Sequence, residues 1–415
     1  MKINIKILLL KENTINVINN DITITFNKPS PCNILNIMTK LSHHLKIYNN
    51  INLINITFDK EFKTKLIHKI ITKLDDVLYS FYPNSIDIKY NNIDNTSKAL
   101  IKQLKNYKDI VMETHKTPNT YLKYIKDNLP KGYKIKLYKL KKDDKLFPLT
   151  SAVGRGSEYN SYFVHIYKKT INKKGKNIVL IGKSVTYDSG GLNLKMREMN
   201  LMKTDMTGSA IILNVLNYLV NTNNDNNNIH LLIPVVENMI GNSAIRPGMV
   251  VRALNGVTVE ITNTDAEGRL CMADAINYFQ KFIKPRMKVS LLLDIATLTG
   301  NVNRISSVGG VIMSNERGCK IANKLMDIGE TIGEYLDYIK LRDEYEPYLK
   351  SSVADINNYN PNCTAGTIMA GIFLDYFVSK DIPYVHIDIG SGTFDNNIVN
   401  SYGIMLLYKI LCKIT

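Results

Sequence analysis

The chain is poor in the residues that build disulfides and histidine metal sites. Its five cysteines, Cys32, Cys271, Cys319, Cys363 and Cys412, are scattered, odd in number and never paired as CxxC. That argues against a disulfide scaffold and a cysteine-based zinc site, and it favours a reducing, cytoplasmic setting. Histidines number seven, and the one adjacent pair, His43 and His44, falls in an amphipathic stretch. A histidine-rich metal centre is therefore not expected. No run of about 18 apolar residues occurs, so no membrane span is expected. The opening MKINIKILLL alternates at first and is followed by no small-residue cleavage site. It reads as a first strand and not as a signal peptide.

What is present is ordinary globular material, 45% hydrophobic and 22% charged over 415 residues. That length exceeds a single core, so two domains are expected. Fifty-three Lys and Arg oppose 37 acids, a net charge of +16, which is compatible with nucleic-acid or anionic-surface affinity. The basic residues form no single tract, however, and Lys, Asn and Ile are abundant even in loops. The densest run, KGYKIKLYKLKKDDK (Lys131 to Lys145), alternates lysine with apolar residues, as an amphipathic strand with a solvated lysine face does.

The first part of the chain mixes strands such as INIKILLL and DITITFN with helices over CNILNIMTKLSHHLKIY and FKTKLIHKIITKLDDVLYSFY. A further helix spans Thr96 to Glu113, and Pro118 opens another. A boundary near His115 divides a smaller N-terminal α/β domain, residues 1–114 with a linker helix, from residues 115–415. Beyond it, apolar strand runs (KNIVLIG, IHLLIPVVE, KVSLLLDIATL, PYVHIDIG) alternate with helical runs (TGSAIILNVLNYLV, GRLCMADAINYFQKFI, AGTIMAGIFLDYFV, YGIMLLYKIL). The pattern predicts an α/β fold with a central mixed sheet flanked by helices. Its ligand site should lie outside the carboxyl ends of the strands.

The polar clusters fall there. GKSVTYDSGGLNLK holds Lys183, Asp188 and Lys195 around a Gly-Gly turn, MKTDMTGSA places Asp205 before a helix, and NTDAEGRL carries Asp265, Glu267 and Arg269 on alternate positions. Taken singly, each has a plain structural reading. Asp265 and Glu267 could be a helix cap and first-turn acid, DSGG a turn, the lysines surface groups, Met202 core packing and Thr297 a strand end. Asp294 and Asp388 read as buried hydrogen-bonded acids, and His386 as structural. Together, four carboxylates and two lysines at strand ends suit Mg²⁺, Mn²⁺ or Zn²⁺ in a carboxylate-bridged site. Two ions about 3.5–4 Å apart recur in aminopeptidases, phosphatases and nucleases.

These blocks carry a resemblance. NTDAEGRL is similar to the signature of the leucine aminopeptidase family, the M17 cytosol aminopeptidases, and IGKSVTYDSGGLNLK matches a second block of that family. The likeness continues through MKTDMTGSA, ENMIGNSAIRPGMVVRALNGVTVEITNTDAEGRL, DIATLTG, LKSSVADINNYN and AGTIMAGIFLDYF to HIDIG, from about Pro118 onward. It implies a metal-dependent exopeptidase preferring apolar N-terminal residues such as leucine, with two divalent ions per subunit (Zn²⁺ or Mn²⁺). Lys183, Asp188, Asp205 and Glu267 would hold the tighter ion, and Asp188, Asp265 and Glu267 the more exchangeable one. A lysine ligand must be a neutral amine, so Lys183 would need its pKa lowered by the ion. Lys195 would polarise the scissile carbonyl. Arg269 would hold bicarbonate as general base, aided by the backbone around Ala266, Gly268 and Leu298. Met202, Thr297, Leu298 and Gly300 would line the substrate pocket. The resemblance also implies a homohexamer acting on peptides.

Several positions depart from the family. The span from Lys195 to Asp205 is one residue short, Met196 stands where proline is common, Thr207 replaces a glycine, and DIGSGTF replaces DIAGTA. The N-terminal region is only loosely similar and looks short. Two rival readings are a nucleic-acid-binding assembly, consistent with the +16 charge, and a structural protein that has lost turnover.

Overall fold

The computed structural model describes residues 2–9, 13–18, 20–26, 30–46, 51, 53–81, 87–172, 174–395 and 397–414. The predicted ends of early elements at residues 10, 27, 47–48 and 82 lie outside them. The N-terminal layer is built from β1 (Lys2–Leu9), β2 (Thr14–Ile18), β3 (Asp21–Phe26), α1 (Pro31–Leu45), β4 (Leu53–Phe58), α2 (Thr64–Phe81) and β5 (Asp87–Asn91). Its sheet runs β2-β3-β1-β4-β5 and is parallel except for the β2–β3 pair. In β1 the isoleucines at 3, 5 and 7 are buried while Lys2 and Lys6 face solvent, the period-two alternation of a strand.

Helix α3 (Asn95–Met112) starts where the Asp94 carboxylate accepts the Ser97 N–H at 2.8 Å, one of the donors a helix start leaves unpaired. It packs on α2, and the fully buried Lys108 ties the two helices through Asp75 (2.6 Å) and Asp76 (2.7 Å). Helix α4 (Pro118–Asp127) opens as predicted, with Pro118 in its first turn and Thr117 and Thr120 capping each other.

The remaining elements are β6 (Lys134–Lys139), α5 (Pro148–Gly154), β7 (Tyr162–Lys168), β8 (Asn177–Gly182), β9 (Val185–Asp188), α6 (Thr207–Asn221), β10 (Asn228–Asn238), β11 (Met249–Arg252), β12 (Thr258–Ile261) and α7 (Gly268–Phe282). There follow β13 (Leu291–Ala296), β14 (Gly310–Ser314), α8 (Cys319–Ile332), β15 (Leu336–Lys340), β16 (Ile356–Asn357), α9 (Gly366–Tyr376), β17 (Tyr384–Asp388), β18 (Phe394–Asp395), β19 (Ile398–Val399) and α10 (Ile404–Lys413). The large sheet runs β15-β14-β17-β13-β8-β10-β7-β6, with β9 also paired to β10, and it is mixed, as expected. Its centre, β17-β13-β8-β10, is parallel. These strands are largely apolar because both faces are covered, with Asp294 and His386 among the few polar side chains buried in them. Ile178 and Leu180 of β8 join the apolar cluster under α6 and α10, while Val179 and Ile181 join the one under α5, α7 and α9. The first of these clusters is continuous with the N-terminal layer through α3, which also packs on α6.

The lysine-rich run at 131–145 contributes the edge strand β6, with Lys134, Lys136 and Lys139 exposed. Charged edges of this kind resist pairing with another chain. Among the described residues no helix is long and apolar enough to cross a membrane.

Candidate metal centre

The parallel strands β8, β9 and β13 end at one place, and the helices α6 and α7 begin there. Lys183 follows β8, Asp188 closes β9, Asp205 precedes α6, Glu267 precedes α7, and Thr297 follows β13. The sequence spreads these residues over more than a hundred positions, and the crossover connections gather them. Lys183 Nζ lies 2.7 Å from Asp205 Oδ2 and 3.0 Å from Glu267 Oε1, and it donates to the Thr297 carbonyl at 3.0 Å. Lys195 Nζ lies 2.9 Å from Asp188 Oδ2 and 2.5 Å from Asp265 Oδ1. Oxygens of Asp188, Asp205 and Glu267 all fall within 4.8 Å of one another.

Four carboxylates thus face two ammonium groups, a formal excess of two negative charges. Asp205 Oδ2, Asp265 Oδ1 and Glu267 Oε1 are buried and accept no hydrogen bond of good geometry, although lysines stand beside them. Burial, followed by repulsion from Glu267, pushes the Asp188 carboxyl well above the usual carboxylate range, and the same causes raise Asp265. Asp205 is pushed up to about 7, by burial first and despite Lys183. Burial opposes charge on Lys183 and Lys195 too, but the surrounding carboxylates outweigh it and hold both above the usual lysine value. Glu267 is held below its usual value: burial works against this, and Lys183 and Lys195 prevail. A pocket so rich in oxygen donors and so short of positive charge fits hard divalent cations.

Some acids are held from behind. Asp188 Oδ1 accepts from Asn238 Nδ2 at 2.7 Å and from the Gly190 N–H at 2.9 Å, and Asp205 Oδ1 accepts from the Thr297 hydroxyl at 2.8 Å. Gly190 and Gly191 turn the chain at φ +86° and +63°, a region glycine enters at no steric cost. Gly268 answers a different need. A Cβ there would meet Lys183 Cε at 2.3 Å, so only glycine lets that lysine lie against the start of α7. Gly182 and Gly208 are equally constrained, by the backbones of Ser209 and Ile295.

Arg269 is buried, donates Nη1–H to the Asn358 carbonyl at 2.9 Å, and leaves Nε without an acceptor. Burial pulls its pKa down to about 10, against the attraction of Glu267 and Asp388. Thr297 thus serves Asp205 directly, a contact its expected pocket role did not include. Leu298 donates its N–H to Asp388 at 3.1 Å and packs its side chain on the cluster under α7. Met202 lies half-buried in a 3₁₀ turn, Met199–Thr204, and Gly300 is exposed, with open space where a Cβ would point. Asp294 and Asp388 are buried hydrogen-bonded acids, as read. Asp294 accepts from the Tyr384 hydroxyl at 2.5 Å and pairs with His386 Nδ1, while Asp388 also takes the Thr299 hydroxyl at 2.7 Å.

Sequence reasoning missed Asn238 and Asn358, although both stand inside quoted blocks. Asn358 is fully buried. Its Oδ1 accepts the N–H groups of Thr262 (2.9 Å) and Asn263 (3.2 Å), and its Nδ2 donates to the carbonyls of Asn263 (2.7 Å) and Ala266 (3.2 Å). It therefore shapes the loop carrying Asp265 and Glu267. Asn358→Ala is expected to cost about 2–4 kcal/mol, because buried loop groups lose their partners. Urea denaturation reads this directly, and an unchanged midpoint would show that the loop holds itself.

The profile of the cytosol aminopeptidase family catalytic domain matches residues 104–405. The chain belongs to the cytosol aminopeptidase family. Among family members, the probable cytosol aminopeptidase of Prochlorococcus marinus is 39% identical over 246 residues, covering 58% of this chain and 48% of that protein. That of Sulfurihydrogenibium is 32% identical over 339 residues, or 80% and 65%. The chain spans about half the length of several curated relatives it matches. The crystal structure of cytosol aminopeptidase from Coxiella burnetii shares the fold, with a TM-score of 0.82, 23% identity and coverage of 99% and 97%. So does the bottromycin maturation enzyme BotP in complex with Mn, with a TM-score of 0.82, 20% identity and coverage of 99% of both chains.

Proposed function

We propose that the chain is a metal-dependent aminopeptidase that hydrolyses the N-terminal peptide bond of peptides, preferring apolar first residues such as leucine. The observation that carries this reading is the meeting of Lys183, Asp188, Asp205, Asp265 and Glu267 with Lys195, carboxylate oxygens left without hydrogen-bond partners. Lys183, Asp188, Asp205 and Glu267 would hold one divalent ion, and Asp188, Asp265 and Glu267 a second. Zn²⁺ and Mn²⁺ both suit this donor set, and BotP, of the same fold, is described with Mn. When bound, such ions supply Lewis-acid polarisation and lower the pKa of water.

The chain's own residues do the rest. Asn238 and the Gly190 N–H fix one oxygen of Asp188, and the Thr297 hydroxyl fixes one oxygen of Asp205, which leaves their partners free to act as ligands. Lys195 keeps its proton among carboxylates and can donate to a carbonyl oxygen as negative charge develops there. Arg269, with Nε unpaired, is the group for a bicarbonate general base. A free α-amino group would sit by Asp205, which restricts cleavage to the first peptide bond. Met202, Thr297, Leu298 and Gly300 would shape the pocket for the first side chain. Residues 1–114 and 115–415 would be the N-terminal and catalytic domains of a cytoplasmic homohexamer.

The test is hydrolysis of leucine amide by purified chain, metal-stripped and then resupplied with Mn²⁺ or Zn²⁺. Turnover that returns with metal supports the reading. Uptake of two ions without turnover on a panel of N-terminal residues would replace it with a structural protein on the same fold.

A second reading, binding of nucleic acid, is favoured by one feature. A groove between α2, α8 and α10 is lined by Lys63, Lys65, Lys69, Lys73, Lys409 and Lys413, against only Glu61 and Glu334. Duplex DNA held there should lose affinity by at least about tenfold between 50 and 200 mM salt, since several phosphates would be neutralised. Replacing Lys65 and Lys409 by Ala should flatten that slope in a fluorescence-anisotropy titration. DNA affinity that ignores both salt and these lysines would remove this reading.

A further inference from the structure

A second cavity, of about 680 Å³, lies on the α7 face of the large sheet, between β6, β7, the first residues of β8 and β10, and the end of α7. Its volume is in the range of small-molecule sites. None of the residues gathered at the candidate metal centre lines it. Strand β8 enters the cavity at Asn177 and reaches Lys183 six residues later, roughly 20 Å away at the rise of a strand.

The lining combines two kinds of group. Lys136, Lys168, Lys169 and Arg286 supply positive charge, and no lining residue is acidic. Lys168 is paired with Asp225. Lys136, Lys169 and Arg286 form no ion pair among the described residues, and Lys136 stands over the Tyr167 ring at 5.7 Å from its centroid. The walls are the rings of Tyr138, Tyr167, Tyr278 and Phe282, the last of them 40% exposed. A line of polar contacts runs along the floor. Tyr138 Oη meets Tyr278 Oη at 3.1 Å, Tyr278 Oη meets His165 Nδ1 at 3.3 Å, and His165 Nε2 meets His230 Nδ1 at 2.8 Å. His230 Nε2 ends this line with no partner among the described residues. Burial holds His165 down to about 3 and His230 to about 4, so both rings are neutral near pH 7 and the cavity's charge comes from its lysines and arginine.

Each half of this lining implies a different part of a ligand. Three cations without carboxylate partners want an anion. Aromatic rings beside them, with a neutral imidazole at the end of a hydrogen-bonded line, want a flat ring that can stack and accept or donate one hydrogen bond. A simple phosphate would leave the rings unused, and an uncharged apolar ligand would leave the cations unused. We propose that this cavity is a binding site for a small aromatic anion of the nucleoside phosphate class, with the ring among Tyr138, Tyr167 and Phe282 and the anionic group at Lys136, Lys169 and Arg286.

The test is calorimetric titration of the full chain with adenosine 5′-monophosphate, with adenosine and inorganic phosphate titrated separately. The monophosphate is expected to bind saturably and at least about tenfold more tightly than either fragment, since both halves of the site contribute. The double variant Lys136→Ala, Arg286→Ala should weaken it by about tenfold or more, the loss of charge-assisted contacts. Both side chains are exposed, so its far-ultraviolet circular dichroism and melting midpoint should match the parent. His230→Ala is expected to weaken the monophosphate and adenosine alike. No binding of the monophosphate, or equal affinity in the double variant, overturns the site. Phosphate alone binding as tightly as the monophosphate overturns the aromatic class.

Discussion

Glu267→Gln is expected to lower kcat for leucine-amide hydrolysis by at least about a hundredfold, the scale of losing a group that stabilises transition-state charge, while the chain stays folded. The substitution is isosteric, so the packing at the start of α7 is kept. What changes is charge at the point where, in the proposed assignment, both ions share a ligand. Glu267 is buried, with Oε1 3.0 Å from Lys183 Nζ and no hydrogen bond of its own. An amide there removes one negative charge and can turn an N–H towards an ammonium. Metal affinity should fall with activity, so metal content after dialysis belongs beside the kinetics. Near-parental turnover with two ions still bound would sink the shared-ligand assignment.

Lys183→Met is expected to destabilise the metal-stripped chain by about 3–5 kcal/mol, the cost of leaving buried charges unpaired. Lys183 is 3% exposed, and its ammonium serves both Asp205 and Glu267. Methionine keeps most of the volume beside Gly268 and supplies none of the charge. A divalent ion offers the same carboxylates a replacement cation. Added Mn²⁺ should therefore raise the melting midpoint of the variant by more degrees than that of the parent. Equal shifts would mean that ion and lysine do not act on the same acids.

The parts of this fold that were legible in the sequence are those where one local pattern had no competitor. Strands buried on both faces, such as NIVLIG and LLLDIA, are apolar at all but one position, and α4 is marked by Pro118 at its start. Some elements escaped the reading despite clear local patterns. In the strand LINITF alternate residues are buried, and the 14-residue helix α8 buries Ala322, Leu325, Ile328 and Gly329 along one face. At the candidate centre the charged residues were legible through motif spacing. Their supports were not, because Asn238 and Asn358 act through contacts 50 and 89–96 residues away in sequence. Thr297, expected to line the pocket, also donates its hydroxyl to Asp205 from the position just after β13.

The glycines at 182, 208 and 268 bear on how this site could diversify. Each sits where backbone or a buried lysine fills the space a methyl would need. The spacing among Lys183, Asp205 and Glu267 is thus set by close contacts at these glycines, which have no side chain to trim or enlarge. The segment from Met196 to Glu198, just past Lys195, is the opposite. Met196, Arg197 and Glu198 are exposed, Met196 at 89%, and swaps there displace no buried group. Variation can accumulate there without moving Lys183, Asp205 and Glu267 relative to one another.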